Sequence, residues 1–291
     1  MSSTTYFAPA KINLTLEVLG RRDDGYHEVR SVMQAVSLGD CLTFNPSDEM
    51  SFECNLPGWS AERSLVSRVV ARLQEGGGRQ KGARITIAKR IPLASGLGGD
   101  ASDAVAVLLG LNELWQLHLS PEQLIEIAAG LGSDVPFFLR AGTALSSGRG
   151  EVVYPLPVPV KNWLVILSPA ISRPPEKTAA LYARLNAADY TSGEYTDVLA
   201  SNLSQGVMLA NEPLYNVFER VAYDVFPGLE HYRQLMLAAG VSRVHLAGAG
   251  PSLFSLHSSQ AEAEVVYLRL AGQPVFLAET LGSDEPGSTN D

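Results

Sequence analysis

Pro92-Leu93-Ala94-Ser95-Gly96-Leu97-Gly98-Gly99-Asp100-Ala101-Ser102-Asp103-Ala104 is the stretch on which the fold of this chain turns. Three glycines in four positions remove Cβ atoms, so that backbone N–H groups can converge on one point. The apolar run Ala104–Trp115 that follows predicts a helix. Its first turn adds unpaired N–H groups and the positive end of a helix dipole. The short β-branched run Ala83–Ala88 in front predicts a strand. Strand, glycine loop and helix in direct succession make a phosphate site. A tight turn with glycines chosen for packing is the alternative, and Ser95 and Ser102 flanking the glycines make it the weaker one.

The kind of phosphate loop is narrowed by what surrounds it. No GxxxxGK[ST] occurs, so it is not a Walker A loop. Gly96-Leu97-Gly98-Gly99-Asp100-Ala101 satisfies GxGxx[GA], the dinucleotide fingerprint, but that fingerprint needs a strand ending in an acid about 20 residues on. Here Gln116–Pro121 is a loop entering a helix, and Glu122 lies inside its capping turn. A nucleoside triphosphate therefore ranks above NAD, and an NAD-dependent oxidoreductase is disfavoured. A second glycine pair, Leu246-Ala247-Gly248-Ala249-Gly250-Pro251-Ser252, lies between two apparent strands. Alone it reads as a hairpin turn; paired with the first loop it closes over the same phosphates or substrate. No GxSxG elbow occurs, which disfavours a serine hydrolase.

Outward from the loop the pattern is mixed. Ile12–Leu19 alternates, with Ile12, Leu14, Leu16 and Val18 on one face and Asn13, Thr15 and Glu17 on the other, predicting a half-buried strand. Gly20–Tyr26 is a charged turn, and Val29–Phe44 reads as further strand interrupted at Leu38-Gly39-Asp40. Glu62–Leu73 has helical period and is stopped by Gly76-Gly77-Gly78. Ser120-Pro121-Glu122-Gln123 is a capping box opening a helix that ends near Gly130 or Gly132. In the second half, strands are expected at Asn162–Ser168, Val244–Ala247, Ser252–His257 and Val275–Glu279. Helices are expected at Pro175–Leu185, Leu214–Val225, Leu229–Ala239 and Gln260–Leu270. Without strict βαβα alternation the class is α+β. Pro155, Pro157 and Pro159 mark a boundary, giving units 1–157 and 158–281 and a polar, flexible tail 282–291.

Composition sets the outer limits. The 291 residues suit one large or two modest domains, and 46% hydrophobic with 18% charged residues is a globular balance. A net charge of −9 lacks the footprint of a nucleic-acid binder, so an anionic substrate has to be held by a local site. Two cysteines, Cys41 and Cys54, exclude a disulfide framework. No apolar run is long enough for a membrane span, and MSSTTYFAPAK has no apolar signal core, which reads as a cytoplasmic protein.

Five segments in order complete the pattern: Pro9-Ala10-Lys11-Ile12-Asn13-Leu14, Asp24-Gly25-Tyr26-His27, Pro92–Ala104, Leu131-Gly132-Ser133-Asp134-Val135-Pro136-Phe137-Phe138 and Ala247-Gly248-Ala249-Gly250-Pro251. In these the chain resembles the GHMP small-molecule kinase superfamily, from about Ala8 to Glu279. The resemblance implies an N-terminal domain of the ribosomal-protein-S5-like type and a C-terminal ferredoxin-like domain, with substrates meeting between them. It implies ATP with Mg²⁺ as phosphoryl donor. The opening segment, the DGYH turn and the DVPFF segment are those of the branch that phosphorylates a C2 hydroxyl on a cytidine diphosphate substrate. Rivals are another GHMP kinase with a mevalonate-like, homoserine or sugar acceptor, and a non-catalytic ATP or metabolite sensor on the same fold. Oligomeric state is open. The chain departs from the family where Ala101 replaces a loop serine and where Ala247 and Ala249 replace hydroxyl residues.

The resemblance also distributes roles. Asp134 would accept the hydroxyl proton, although an Asp capping the next segment is equally consistent with its local sequence. Lys11 by itself reads as a snorkelling lysine; in the family its ammonium stabilises Asp134 and the developing alkoxide. The donor would lie on Pro92, Leu93, Ala94, Ser95, Gly96, Leu97, Gly98, Gly99, Asp100, Ala101 and Ser102, with the Ser102 hydroxyl on phosphate or Mg²⁺. Asn13, Tyr26, His27, Tyr182, Gly248 and Gly250 would face the acceptor, with Tyr26, His27 and Tyr182 around cytosine. Asp103 reads as a first-turn acid favoured by the dipole, and Asn216 as a recurrent polar position of the superfamily.

Overall fold

The computed structural model describes residues 3–75, 81–140 and 142–282; the expected Gly76–Gly78 stop and the tail beyond Gly282 lie outside the described residues. In chain order the elements are β1 (Thr4–Asn13), β2 (Thr15–Arg21), β3 (His27–Ser47), β4 (Met50–Cys54), α1 (Leu65–Leu73), β5 (Gly82–Ala88), α2 (Gly99–Leu114), α3 (Pro121–Leu131), α4 (Val135–Phe138), β6 (Thr143–Ser147) and β7 (Val152–Pro155). There follow β8 (Trp163–Leu167), α5 (Lys177–Tyr182), α6 (Glu194–Leu203), β9 (Tyr215–Asn216), α7 (Ala222–Val225), α8 (Leu229–Ala238), β10 (His245–Leu246), β11 (Leu253–His257), α9 (Gln260–Arg269) and β12 (Val275–Glu279). The fold is α+β. A first sheet is assembled on the long β3, which pairs with β1, β2, β5 and β6. A second, antiparallel sheet runs β10-β11-β8-β12. The expected boundary at 157/158 falls in the stretch that joins β7 to β8.

Three apolar clusters hold these layers. One packs α1–α4 on the first sheet around Phe44, Ile85, Leu108 and Phe137. A second gathers α7–α9 on the second sheet around Phe218, Phe226 and Met236. The third is the seam: Ile12, Leu14, Ile91 and Leu97 from the first half meet Leu164, Ile166, Phe254 and Ala278 from the second. The seam is stitched by a bridge between Val36 and Thr280 and by the Gln34 amide donating to Leu281 O at 2.8 Å. Such burial, non-directional but large, fixes the two sheets against each other.

Several expectations need correction. The strand expected over Ile12–Leu19 is broken at Leu14, and both its faces are buried, because Asn13, Thr15 and Glu17 are covered too. Thr15 and Glu17 are covered by α6: the Thr15 hydroxyl lies 2.9 Å from that of Thr196, and Glu17 accepts the Thr196 N–H at 2.8 Å. The interruption at Leu38–Asp40 is a register shift against β1, where Pro9 faces Gly39 and Ala10 faces Val36, within a continuous β3. Leu214–Val225 is not one helix. Tyr215–Asn216 pairs in parallel with β2, a 3-10 turn covers Val217–Arg220, and only Ala222–Val225 is α-helical. The helix after the glycine loop begins earlier than expected, at Gly99, so the loop supplies its own first turn.

Candidate active site

A cleft of about 1030 Å³ opens along the seam. Its floor is the glycine loop. Gly96 (φ +89°) could not carry a side chain: a Cβ there would lie 2.1 Å from Ala247 O. The second glycine loop is therefore in contact with the first, and Ser252 N–H donates to Ser95 O at 3.1 Å. Gly98, in the left-handed region, is the N-cap of α2, and Ser102 N–H is the first to return a bond, to Gly98 O. The N–H groups of Gly99, Asp100 and Ala101 have no acceptor within the helix.

The loop is held from behind by a buried ion cluster that the sequence did not reveal. Lys89 Nζ lies 2.6 Å from both Asp40 Oδ2 and Asp103 Oδ2. Asp40 Oδ1 also accepts the Ile91 N–H at 2.8 Å and the Arg90 N–H at 2.5 Å, fixing the chain just before Pro92. Two carboxylates thus share one ammonium. Asp40 is satisfied by three donors, whereas Asp103 Oδ1 has none, and burial pushes the Asp103 carboxyl well above its ordinary pKa. Asp103 is accordingly a core ion-pair residue and not a first-turn acid facing solvent.

Lys11 and Asp134 meet above the loop, Nζ to Oδ2 at 3.2 Å. The Lys11 side chain is 5% exposed, so it is not a snorkelling lysine. It is clamped because β1 runs beneath the loop, its own N–H donating to Leu97 O at 2.9 Å. Nζ also donates to Asn13 Oδ1 at 2.7 Å, and Asn13 Nδ2 donates to Ser31 Oγ at 2.7 Å. Asp134 is the N-cap of α4 but makes no side-chain capping bond; its carboxylate is 44% exposed, toward the cleft. Asn216 is buried and gives both amide hydrogens to the second glycine loop, to Leu246 O and Gly248 O at 2.9 Å each. It holds the loop without reaching the cleft.

On the far wall, His27 and Tyr182 stack face to face, ring centroids 4.5 Å apart and planes 13° from parallel. Phe218 meets Tyr182 edge-on at 4.9 Å. Burial and Arg21 lower the His27 pKa, leaving a neutral imidazole with one donor and one acceptor nitrogen. Tyr26 is exposed and carries the Arg149 guanidinium 4.8 Å from its ring centroid. Tyr182, raised to about 12 by burial and by Asp134, stays a phenol.

Of the residues singled out from sequence, the cleft is lined by Lys11, Asn13, Tyr26, His27, Asp134, Tyr182, Gly248 and the loop from Pro92 to Ala101 except Leu97. Leu97 is core. Ser102 and Gly250 stand behind the lining. The Asp100 carboxylate is turned onto the start of α1, accepting Ser64 Oγ–H and the Leu65 N–H. Two cations near the loops, Arg173 and Lys177, were missed. Their one sequence signal is the pair of prolines, Pro174 and Pro175, between them.

Among the described residues no group of three or more His, Cys, Asp or Glu could hold a metal ion. Magnesium, which keeps waters and takes phosphate oxygens, does not require such a cage. The Ser102 hydroxyl is buried at the start of α2 without a hydrogen-bond partner, so the residues fit a donor that brings its own ligands. No helix among the described residues is long and apolar enough to cross a membrane.

A cleft between two α+β halves, floored by a glycine loop opening a helix and topped by a Lys–Asp pair, defines a phosphotransferase. The chain matches the GHMP kinases N terminal domain over residues 64–142 and the GHMP kinases C terminal domain over residues 199–274. It belongs to the GHMP kinase family and is an ATP-dependent small-molecule kinase. A relative from Dehalococcoides mccartyi, a 4-diphosphocytidyl-2-C-methyl-D-erythritol kinase, is 50% identical over 280 residues, covering 96% of this chain and 98% of its own. The crystal structure of a 4-(cytidine 5'-diphospho)-2C-methyl-D-erythritol kinase superposes with a TM-score of 0.80 at 31% identity, over 96% of this chain and 99% of that one. Homoserine kinase from Cytophaga hutchinsonii, with a TM-score of 0.73 at 21% identity over 99% and 98% of the two chains, shares the fold.

Proposed function

We propose that this chain phosphorylates the C2 hydroxyl of 4-diphosphocytidyl-2-C-methyl-D-erythritol, the acceptor named in its relatives, with Lys11 and Asp134 at the reacting oxygen. The observation that carries the reading is the 3.2 Å Lys11–Asp134 pair, set between two glycine loops and facing the His27–Tyr182 stack across one cleft.

Phosphoryl transfer asks for position, charge neutralisation and removal of one proton. ATP supplies the γ-phosphoryl group. Asp134, exposed to the cleft, takes the proton of the acceptor hydroxyl as its oxygen bonds to phosphorus and the bond to the departing diphosphate breaks. Lys11 orients that carboxylate and offers its ammonium to the oxygen on which charge develops. Asn13 fixes the Lys11 ammonium through the Ser31 bond behind it. The backbone N–H groups of Gly99–Ala101 and the dipole of α2 receive phosphate oxygens. If Mg²⁺ accompanies the nucleotide, Ser102, whose buried hydroxyl at the start of α2 has no partner, would help to hold it. Tyr182, stacked on His27, and Tyr26, under Arg149, bring aromatic rings to the cleft, and an aromatic base with a polar edge takes the place of one such partner while His27 offers a donor and an acceptor. We take 1–157 and 158–281 as the two working units, since the cleft draws the loop and the Lys–Asp pair from one and Tyr182 and Gly248 from the other.

The test is an acceptor panel. Purified protein with Mg-ATP is given the cytidyl substrate, mevalonate, homoserine or galactose, and products are read by phosphorus NMR. Phosphorylation of the cytidyl substrate alone is expected. Turnover of another acceptor would remove the role given to Tyr26, His27 and Tyr182. ATP binding with no turnover of any acceptor would make the protein a sensor.

A further inference from the structure

The glycine loop Pro92–Ala104 contains no Lys or Arg, yet the donor it receives carries net negative charge. Phosphate loops ordinarily work beside a cation. Lys11 is matched by Asp134, Lys89 by Asp40 and Asp103, and Arg149 by Glu151. Cations near the loops and the cleft that make no ion pair include Arg63, Arg173 and Lys177. Arg63 is exposed and tied to its own turn, on Gly58 O and Ser60 Oγ. The other two are bound to the glycine loops. Arg173 donates to Leu93 O in the first loop. Lys177 donates to Ala249 O at 3.2 Å and to Gly250 O in the second. One five-residue stretch thus touches both loops through cationic side chains, and Arg173 Nε is buried with no partner at all.

A desolvated cation without a counter-ion is costly, and neutral carbonyls offset only part of that cost. We propose that Arg173 and Lys177 form a two-cation clasp that binds the phosphate oxygens of the nucleoside triphosphate donor. The clasp rests on the kinase reading above and adds to it the residues that neutralise the donor. Held on carbonyls of both loops, just outside the residues that line the cleft, the two cations complete an anion site that the loop sequence leaves uncharged. The groups facing Lys177 are Lys11 from β1, Arg173 from its own segment, Asp134 at the start of α4 and the two loop carbonyls. Burial, then Lys11 and Arg173, lower the Lys177 pKa to about 8, with Asp134 opposing. A bound polyanion raises it again, so binding above that pH takes up a proton.

Calorimetric titrations of the full chain, in the presence of magnesium, test the clasp with three probes: a non-hydrolysable ATP analogue, adenosine and CDP. Lys177→Met and Arg173→Gln are each expected to weaken the ATP analogue by about 10- to 100-fold, the scale of a charge-assisted hydrogen bond. Adenosine and CDP are expected to change by less than about threefold, and Lys177→Arg to restore most of the analogue's affinity. At pH 8.5, in two buffers of different ionisation enthalpy, the wild type is expected to take up protons on binding the analogue. Lys177→Met and Lys177→Arg are expected not to, a difference that loop support alone would not produce. Equal loss for adenosine and the analogue would reduce the clasp to loop support and overturn it. A loss confined to CDP would assign the cations to the acceptor's diphosphate and overturn it as well. Unchanged variants on a wild type that binds the analogue would overturn the clasp alone; a wild type that does not bind the analogue would overturn the kinase reading with it.

Discussion

Replacing Lys89 by Met isolates the ion cluster behind the glycine loop. The Lys89, Asp40 and Asp103 side chains are almost wholly buried. With both Oδ2 atoms 2.6 Å from Nζ, removing the ammonium leaves two carboxylates no more than about 5 Å apart, repelling by about 3 kcal/mol at an effective dielectric of about 20. Breaking a buried ion pair by deleting one partner costs about 3–5 kcal/mol in any case. The loss is expected to fall in that range, because the pair relieves part of the repulsion by taking up a proton. At about 2–4 °C per kcal/mol for a chain of this size, melting drops by roughly 6–20 °C. Denaturant unfolding at pH 7 and pH 5 measures it, and the deficit is expected to shrink at pH 5 as the pair protonates. Asp103→Asn is the internal comparison. It leaves Lys89 with Asp40, whose other oxygen already holds two N–H groups, and is expected to cost less than about 1 kcal/mol. Lys89→Met costing under about 1 kcal/mol, or Asp103→Asn costing as much as Lys89→Met, would refute the reading of Lys89 as the counter-ion that two buried carboxylates share.

Other outcomes follow from the same geometry. Because the folded Asp103 pKa lies above its unfolded value, its contribution is present below about pH 4 and is lost as pH rises through the folded value; Asp103→Asn is expected to gain on wild type across that rise in pH-dependent melts. Gly96→Ala puts a Cβ into Ala247 O from a left-handed backbone, so it is expected to cost about 1–3 kcal/mol in strain alone and to raise KM for ATP more than KM for the acceptor. Asn216→Ala strips hydrogen bonds from Leu246 O, Gly248 O and the Phe218 N–H; a loss of about 1–3 kcal/mol in unfolding free energy is expected. Tyr182→Leu removes a stacking face worth about 1–3 kcal/mol per base, and steady-state kinetics are expected to show a raised KM for the cytidyl acceptor with KM for ATP unchanged.

What the sequence made legible was local. The glycine loop announced itself because its geometry is encoded in consecutive residues: three glycines, then a helix whose first N–H groups need no distant partner. The capping box at Ser120 is legible for the same reason, and both its hydrogen bonds form. Features that depend on who covers whom were not legible. Asn13, Thr15 and Glu17 alternate as a solvent face should, yet α6, some 180 residues on, closes over Thr15 and Glu17, and Asn13 is tied to Lys11 and Ser31. Asn216 sits in a run of helical period, but its amide is needed by the second glycine loop and its backbone by β2, and these tertiary bonds outweigh local propensity.

The site divides in the same way. Asp134 and the loop were found from motifs, and the burial of Lys11 from none, since a lysine beside apolar residues is ordinarily solvated. Lys89 was invisible because its partners stand 49 and 14 residues away; only the fold shows that two aspartates converge on it. Arg173 and Lys177 lie outside the five segments that carry the family resemblance, so motif matching passed over them.

The role of Asp134 is tested most directly by Asp134→Asn, which keeps shape and removes the base. Single-turnover transfer to 4-diphosphocytidyl-2-C-methyl-D-erythritol is measured beside the affinities for the ATP analogue and for CDP. Transfer is expected to fall at least about 100-fold, the scale of a lost general base, with both affinities within about threefold of wild type. Transfer within about tenfold of wild type, or a loss that merely follows weakened binding, would contradict the assignment of proton removal to the Lys11–Asp134 pair.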